Sequence, residues 1–143
     1  MTGASPHIEH EARKLTDAQR AFLEKPYVGV VTDLRPDGSP HSTVVWVDVD
    51  DDGVSFNTAW PRAKPRYLER DPRVSLTVLD PEDPYRWISI TGTAAFVDEG
   101  ANDQIDRLAK KYTGADSYGG HQDHETRVSV RISPTRIESS GID

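Results

Sequence analysis

Six stretches of this chain alternate in hydrophobicity with a period of two, and that period limits the fold more than any other feature. In 27–34, Val28, Val30, Thr32 and Leu34 alternate with Gly29, Val31 and Asp33. In 41–50, Thr43, Val45, Val47 and Val49 share one face, and Ser42, Val44, Trp46 and Asp48 share the other. Shorter or longer stretches follow at 54–58, 74–79, 86–97 and 127–133. Successive side chains of a strand point to opposite faces, so each stretch predicts a β-strand. Arg35-Pro36-Asp37-Gly38-Ser39 and Asp51-Asp52-Gly53 carry hairpin chemistry, proline fixing φ and glycine accepting positive φ. Residues 135–138 read as a short further edge. Gly92 inside the fifth stretch marks a bulge, a barrel corner or the close approach of another backbone.

Helical spacing fills the intervals. Thr16-Asp17-Ala18-Gln19 has the spacing of a capping box, and Leu15, Ala18 and Phe22 share one side until Pro26 stops the helix. A short helix spans 64–70, ending at Asp71-Pro72. A third carries Ala101, Ile105, Leu108, Ala109 and Tyr112 on one side, with Gly114 as its C-terminal cap. Six largely antiparallel strands with three peripheral helices predict a mainly β protein, a six-stranded closed or nearly closed barrel. Strands with two useful faces also fit a barrel whose outside packs on a second copy.

The 143 residues make one domain. A net charge of −7 argues against general binding to nucleic acid or a membrane surface. Absence of cysteine removes disulfides and thiolate metal sites. No apolar run reaches spanning length and no signal-peptide core is present, so a cytoplasmic protein is expected. Residues 1–14 read as a loose polar arm; His7 and His10 lack a nearby third ligand, so the arm reads as solvated and no metal is assigned. His121 and His124, in a glycine-containing loop, read as a solvated or substrate-entrance segment.

Against this acidic background, Phe56-Asn57-Thr58-Ala59-Trp60-Pro61-Arg62-Ala63-Lys64 is distinctive. It reads as a strand end, a loop and the start of a helix at Lys64-Pro65-Arg66. A hydroxyl at Thr58, cations at Arg62 and Lys64, and free helix-start N–H groups suit an oxyanion such as phosphate. The same residues also read as a surface loop with solvated cations.

The ordered series Asp37-Gly38-Ser39-Pro40, Val44-Val45-Trp46, Phe56-Asn57-Thr58, Arg62-Ala63-Lys64, Arg70-Asp71-Pro72-Arg73-Val74 and Gly92-Thr93-Ala94 resembles the pyridoxamine 5′-phosphate oxidase-like family. This is the split β-barrel superfamily of flavin and deazaflavin reductases, and the resemblance covers about residues 15–138. Pro61-Arg62-Ala63-Lys64 in a compact chain is most similar to the actinobacterial branch that uses coenzyme F420, a deazaflavin. The resemblance implies an FMN-binding-like split β-barrel over 15–143 and a homodimer with two cofactor sites at the subunit interface. It implies that Thr43, Val44, Val45 and Trp46 run along the cofactor ring and that Asn57 and Thr58 meet its polar tail. It further implies that Arg62, Ala63 and Lys64 form the phosphate end, and that Trp87 touches the ring region from the partner chain.

Two departures from the oxidases proper bear on function. They carry a lysine at the position of Asp48, and an acid there weakens the case for FMN. They also use a C-terminal tryptophan and arginine to hold pyridoxal phosphate, whereas this chain has no tryptophan after Trp87. The expected activity is therefore F420-dependent hydride transfer to a small conjugated acceptor. An FMN-dependent oxidoreductase and a non-enzymatic cofactor or haem carrier are the alternatives. Tyr85, His41 and Tyr118 are candidate proton donors that also read as structural or solvent-facing side chains, and no catalytic residue is assigned.

Overall fold

A computed structural model describes residues 14–143, so the arm with His7 and His10 lies outside the described residues. In chain order the elements are α1 (Asp17–Glu24), β1 (Gly29–Leu34), β2 (Pro40–Val45), β3 (Val47–Asp50) and β4 (Gly53–Trp60). They continue with α2 (Ala63–Arg70), β5 (Arg73–Asp80), β6 (Asp83–Val97), α3 (Ala101–Thr113) and β7 (Thr126–Ser140). The strands form one seven-stranded antiparallel sheet in the order β2-β1-β5-β6-β7-β4-β3. It curls so that its inward faces enclose a single core. No helix among the described residues is long and apolar enough to cross a membrane.

The expected count of six strands is corrected to seven. The predicted strand 41–50 breaks at Trp46, where Val45 pairs with Gly29 of β1 and Val47 pairs with Phe56 of β4. Those neighbours lie at opposite ends of the sheet, so one straight strand cannot serve both. Helix α3 replaces the missing ladder at the break. The Tyr112 hydroxyl accepts from the Val47 N–H (3.0 Å) and donates to the Tyr27 carbonyl (2.7 Å). The Lys111 ammonium donates to the carbonyls of Leu23 and Val47, each at 2.7 Å. Residues 135–138 are not a separate edge but the second half of the continuous β7, paired along β6.

The core follows the alternation. Val31, Val45, Val47, Phe56, Leu76, Val78, Ile88, Ile90, Val130 and Ile132 are all buried in one cluster. Each such side chain contributes about 1.5–3 kcal/mol relative to exposure. The Thr16 capping box forms in both directions: Gln19 N–H donates to Thr16 Oγ1 (3.1 Å) and Thr16 N–H donates to Gln19 Oε1 (2.9 Å). Gly114 caps α3 in the left-handed conformation, φ 81°.

The β6–β7 register shifts between Thr91 and Gly92. A Cβ on Gly92 would overlap the Ser133 carbonyl oxygen, with the carbonyl carbon at 2.8 Å and Pro134 Cα at 3.0 Å. The glycine therefore serves both a bulge and a close backbone approach.

Candidate functional site

The break at Trp46 opens one side of a cleft of about 260 Å³. Val44, Val45 and Trp46 line it from the β2 end, Asn57 from β4, Arg62 and Lys64 from the start of α2, Ile105 and Leu108 from α3, and Tyr118 from the following loop. Alternation explains the choice on β4: Asn57 faces the cleft, while its neighbours Phe56 and Thr58 are buried. On α3, the i, i+3 spacing of Ile105 and Leu108 gives an apolar wall.

Aromatic contacts shape the apolar end. The Trp46 indole stacks on Tyr112 at 5.5 Å between centroids and meets the Tyr118 ring edge-on at 6.2 Å. Tyr118 is fixed in turn by its N–H to Asp106 Oδ1 (2.8 Å) and by the Arg127 guanidinium over its ring at 4.6 Å. Arg127 also donates to the Tyr118 hydroxyl (3.1 Å) and to Asn57 Oδ1 (3.3 Å). The Asn57 amide nitrogen donates to the Ala101 carbonyl (2.8 Å) and to Gln104 Oε1 (2.9 Å). Asn57 thus reaches the cleft with its orientation already set.

The two cations differ in circumstance. Arg62, at the N-cap of α2, makes a two-pronged bond to Glu125, Nε–Oε2 at 2.5 Å and Nη2–Oε1 at 2.8 Å. This contact holds the Glu125 carboxyl below the usual carboxylate range and pushes the Arg62 guanidinium up. Lys64 forms no hydrogen bond or ion pair with the described residues, its ammonium standing 5.9 Å from the Phe56 ring centroid. Burial lowers its titration below that of an ordinary lysine; buried Asp33 opposes this shift and Arg62 adds to it. No side chain caps the first turn of α2, where Pro65 occupies the third helical position.

Six of the residues expected at the site meet in the cleft: Val44, Val45, Trp46, Asn57, Arg62 and Lys64. The other four do not line it. Thr43 faces inward, as does Val45, and its hydroxyl is buried with no partner among the described residues. Thr58 is likewise buried with an unpartnered hydroxyl, so it does not join the two cations at the cleft surface as its spacing suggested. Ala63 begins α2 beside the cleft. Trp87 lies on β6 opposite Leu79 and Ser140, on the face away from buried Ile88 and Ile90.

Of the three candidate proton donors, Tyr118 alone lines the cleft. His41 is bonded to Asp33, and Tyr85 is exposed near the start of β6. Asp48 accepts from Gln104 Nε2 (3.2 Å) and Arg107 Nη2 (3.1 Å), turned toward α3 rather than into the cleft. The readings from sequence did not identify Ile105 and Leu108 as walls or Glu125 as the partner of Arg62. Helical periodicity marks the first two as one face; the ion pair spans 63 positions and leaves no local signal.

A curled antiparallel sheet whose two edges meet at a cleft, apolar at one end and cationic at the other, defines a split β-barrel binding protein. The chain belongs to the pyridoxamine 5′-phosphate oxidase family, whose sequence profile matches residues 15–141. It is 27% identical over 128 residues to the F420H2-dependent biliverdin reductase of Mycobacterium tuberculosis (strain CDC 1551 / Oshkosh), covering 89% of each chain. Among solved structures it is similar to an F420 reductase, with TM-score 0.74 and 25% identity over 87% of this chain and 98% of the other. A conserved hypothetical protein of Mycobacterium tuberculosis superposes with TM-score 0.69 and 28% identity over 90% and 86% of the two chains.

Proposed function

We propose that the cleft holds the deazaflavin coenzyme F420 and that the protein is an oxidoreductase. Hydride would pass between the reduced cofactor and a small conjugated organic acceptor. The observation that carries this reading is the Lys64 ammonium, partly desolvated and without an ion pair, beside Arg62 at one end of a cleft walled elsewhere by Val44, Val45, Trp46, Ile105, Leu108 and Tyr118. A flat conjugated ring fits the apolar walls, and a phosphate matches the cations. The relatives named for F420-linked reduction support the choice of cofactor.

The bound deazaflavin supplies two-electron hydride chemistry. The chain's own part is to bind and orient. Trp46 and Tyr118 limit water at the apolar end, the edge backbone of Val44 to Trp46 offers hydrogen-bonding groups to a ring, and Arg62 and Lys64 fix the tail. Fluorescence titration with coenzyme F420 and with FMN in one buffer tests the assignment. Tighter binding of F420 is expected; submicromolar FMN affinity with no measurable deazaflavin binding reverses it.

The active unit is proposed to be a homodimer. The sheet face outside the core exposes Val44 (65%), Leu79 (43%) and Val30 (41%), and Leu79 pairs directly with Trp87. Covering this apolar face with a second copy accounts for Trp87 lying away from its own chain's cleft. Light scattering at micromolar concentration is expected to give about twice 15.9 kDa. A monomer mass with full cofactor binding removes the dimer from the proposal.

A further inference from the structure

The guanidinium fork of Arg62 is already filled, by a group that imitates the phosphate the cleft is proposed to hold. Nε and Nη2 of Arg62 donate to Oε2 and Oε1 of Glu125 at 2.5 and 2.8 Å. A guanidinium takes a phosphate in the same two-pronged way. Glu125 immediately precedes β7, and its side chain is 8% exposed against 43% for Arg62.

A phosphate that uses the cations of the cleft brings a second anion to the guanidinium that Glu125 holds. Two anions on one partly desolvated cation repel each other. The fold offers the carboxylate another place. Its Oε1 is 3.9 Å from Nη2 of Arg127, whose side chain is only 5% exposed. Glu125 and Arg127 together line a second cavity, of about 800 Å³, which Arg62 does not line. The carboxylate thus has both room and a counter-ion on that side. Asp98 and Asp103 line the same cavity, so its place there is against Arg127 and not in the open. Arg127 in turn donates to Asn57 Oδ1 and to the Tyr118 hydroxyl, and both residues line the cleft.

We propose that Glu125 is a specificity-determining residue, a competitor built into the site: its carboxylate occupies the oxyanion seat on Arg62 and yields it to a phosphate by moving onto Arg127. This deepens the cofactor reading and rests on it for the identity of the ligand. Every anion that seeks Arg62 must first displace a carboxylate held at hydrogen-bonding distance. A free anion has little besides that contact to offer, and the exchange leaves it little net gain. A cofactor whose ring also fills the apolar end brings further binding and tolerates the loss. The seat therefore stays closed to small anions and opens to a phosphate that arrives attached to a ring.

Glu125→Gln keeps the shape of the side chain and removes its charge. Coenzyme F420 is expected to bind this variant about tenfold more tightly than the wild type. The same deazaflavin ring without its phosphate is expected to change by less than about twofold. A merely structural ion pair gives the opposite sign: Arg62 is no longer held, F420 binds more weakly, and that result overturns the proposal. Nitrogen-15 NMR of the arginine Nε–H groups follows the exchange in the full-length protein. Excess inorganic phosphate added to the ligand-free wild type is expected to move the Arg62 and Arg127 signals together. In Glu125→Gln about tenfold less phosphate is expected to move the Arg62 signal alone. An Arg127 signal that responds alike in both proteins overturns the transfer. An Arg62 signal that excess phosphate leaves unmoved in the wild type overturns the seat itself, a result that needs no variant to fold. Failure of F420 to bind the wild type while phosphate still drives the exchange removes the cofactor reading and leaves the role of Glu125 standing.

Discussion

Replacing both Arg62 and Lys64 by alanine is expected to weaken cofactor binding by about two to three orders of magnitude. Charge-assisted hydrogen bonds to phosphate contribute roughly 1.5–3 kcal/mol each, which is about ten- to a hundredfold for each single variant. The structure separates the two. Lys64→Ala removes a cation that has no hydrogen bond or ion pair among the described residues and stands over the Phe56 ring at 5.9 Å. Arg62→Ala also releases Glu125, leaving its carboxylate at 3.9 Å from Arg127 and without its main counter-ion. An unneutralised carboxylate near an incoming phosphate adds repulsion, so Arg62→Ala should be the more damaging single change. Dissociation constants and turnover measured on the three variants check this. If Arg62 and Lys64 hold the cofactor's tail as proposed, turnover at saturating cofactor should change much less than affinity, because the phosphate would sit away from the reacting ring. A double variant within about twofold of wild type, a change of ~0.4 kcal/mol, would return both residues to the status of solvated surface cations.

Gly92→Ala is expected to be the most destabilising single methyl addition in the sheet, by about 3 kcal/mol or more. The new Cβ meets backbone rather than a flexible side chain: the Ser133 carbonyl and Pro134 Cα. Neither moves without disturbing the longest ladder in the molecule, between β6 and β7, beside its register shift. Gly38→Ala is the comparison, since a Cβ there meets nothing within 4 Å and the cost is confined to its positive φ of 85°. Chemical denaturation of both variants measures the difference. Equal midpoints would mean that the bulge absorbs the methyl group by sliding.

Much of this architecture was legible in the sequence because its signals are local. The capping box at Thr16, the turns at Gly38 and Gly53, the glycine cap at Gly114 and the alternation along each strand all depend on residues a few positions apart. The division of 41–50 was not legible, because alternation continues through Trp46 and the break depends on which distant strand each half pairs with. At the site, the spacing of Arg62 and Lys64 announced the cations, while alternation on β4 withdrew Thr58 into the interior. The Glu125 partner of Arg62 comes from another part of the chain, where no short motif points to it.

The single residue between β2 and β3 has a mechanical meaning. The sheet's two outermost strands are consecutive in the chain, so the ends of the curled sheet are fastened by one amino acid instead of a row of interstrand bonds. Neither flanking ladder includes Trp46, so the two edges are joined through the chain with no interstrand rung between them. At this join Trp46 stacks on Tyr112, and two α3 side chains are tied to Val47. The seam of the sheet is therefore fastened by a helix, and substitutions of Tyr112 or Lys111 are expected to loosen it while the ladders keep their register.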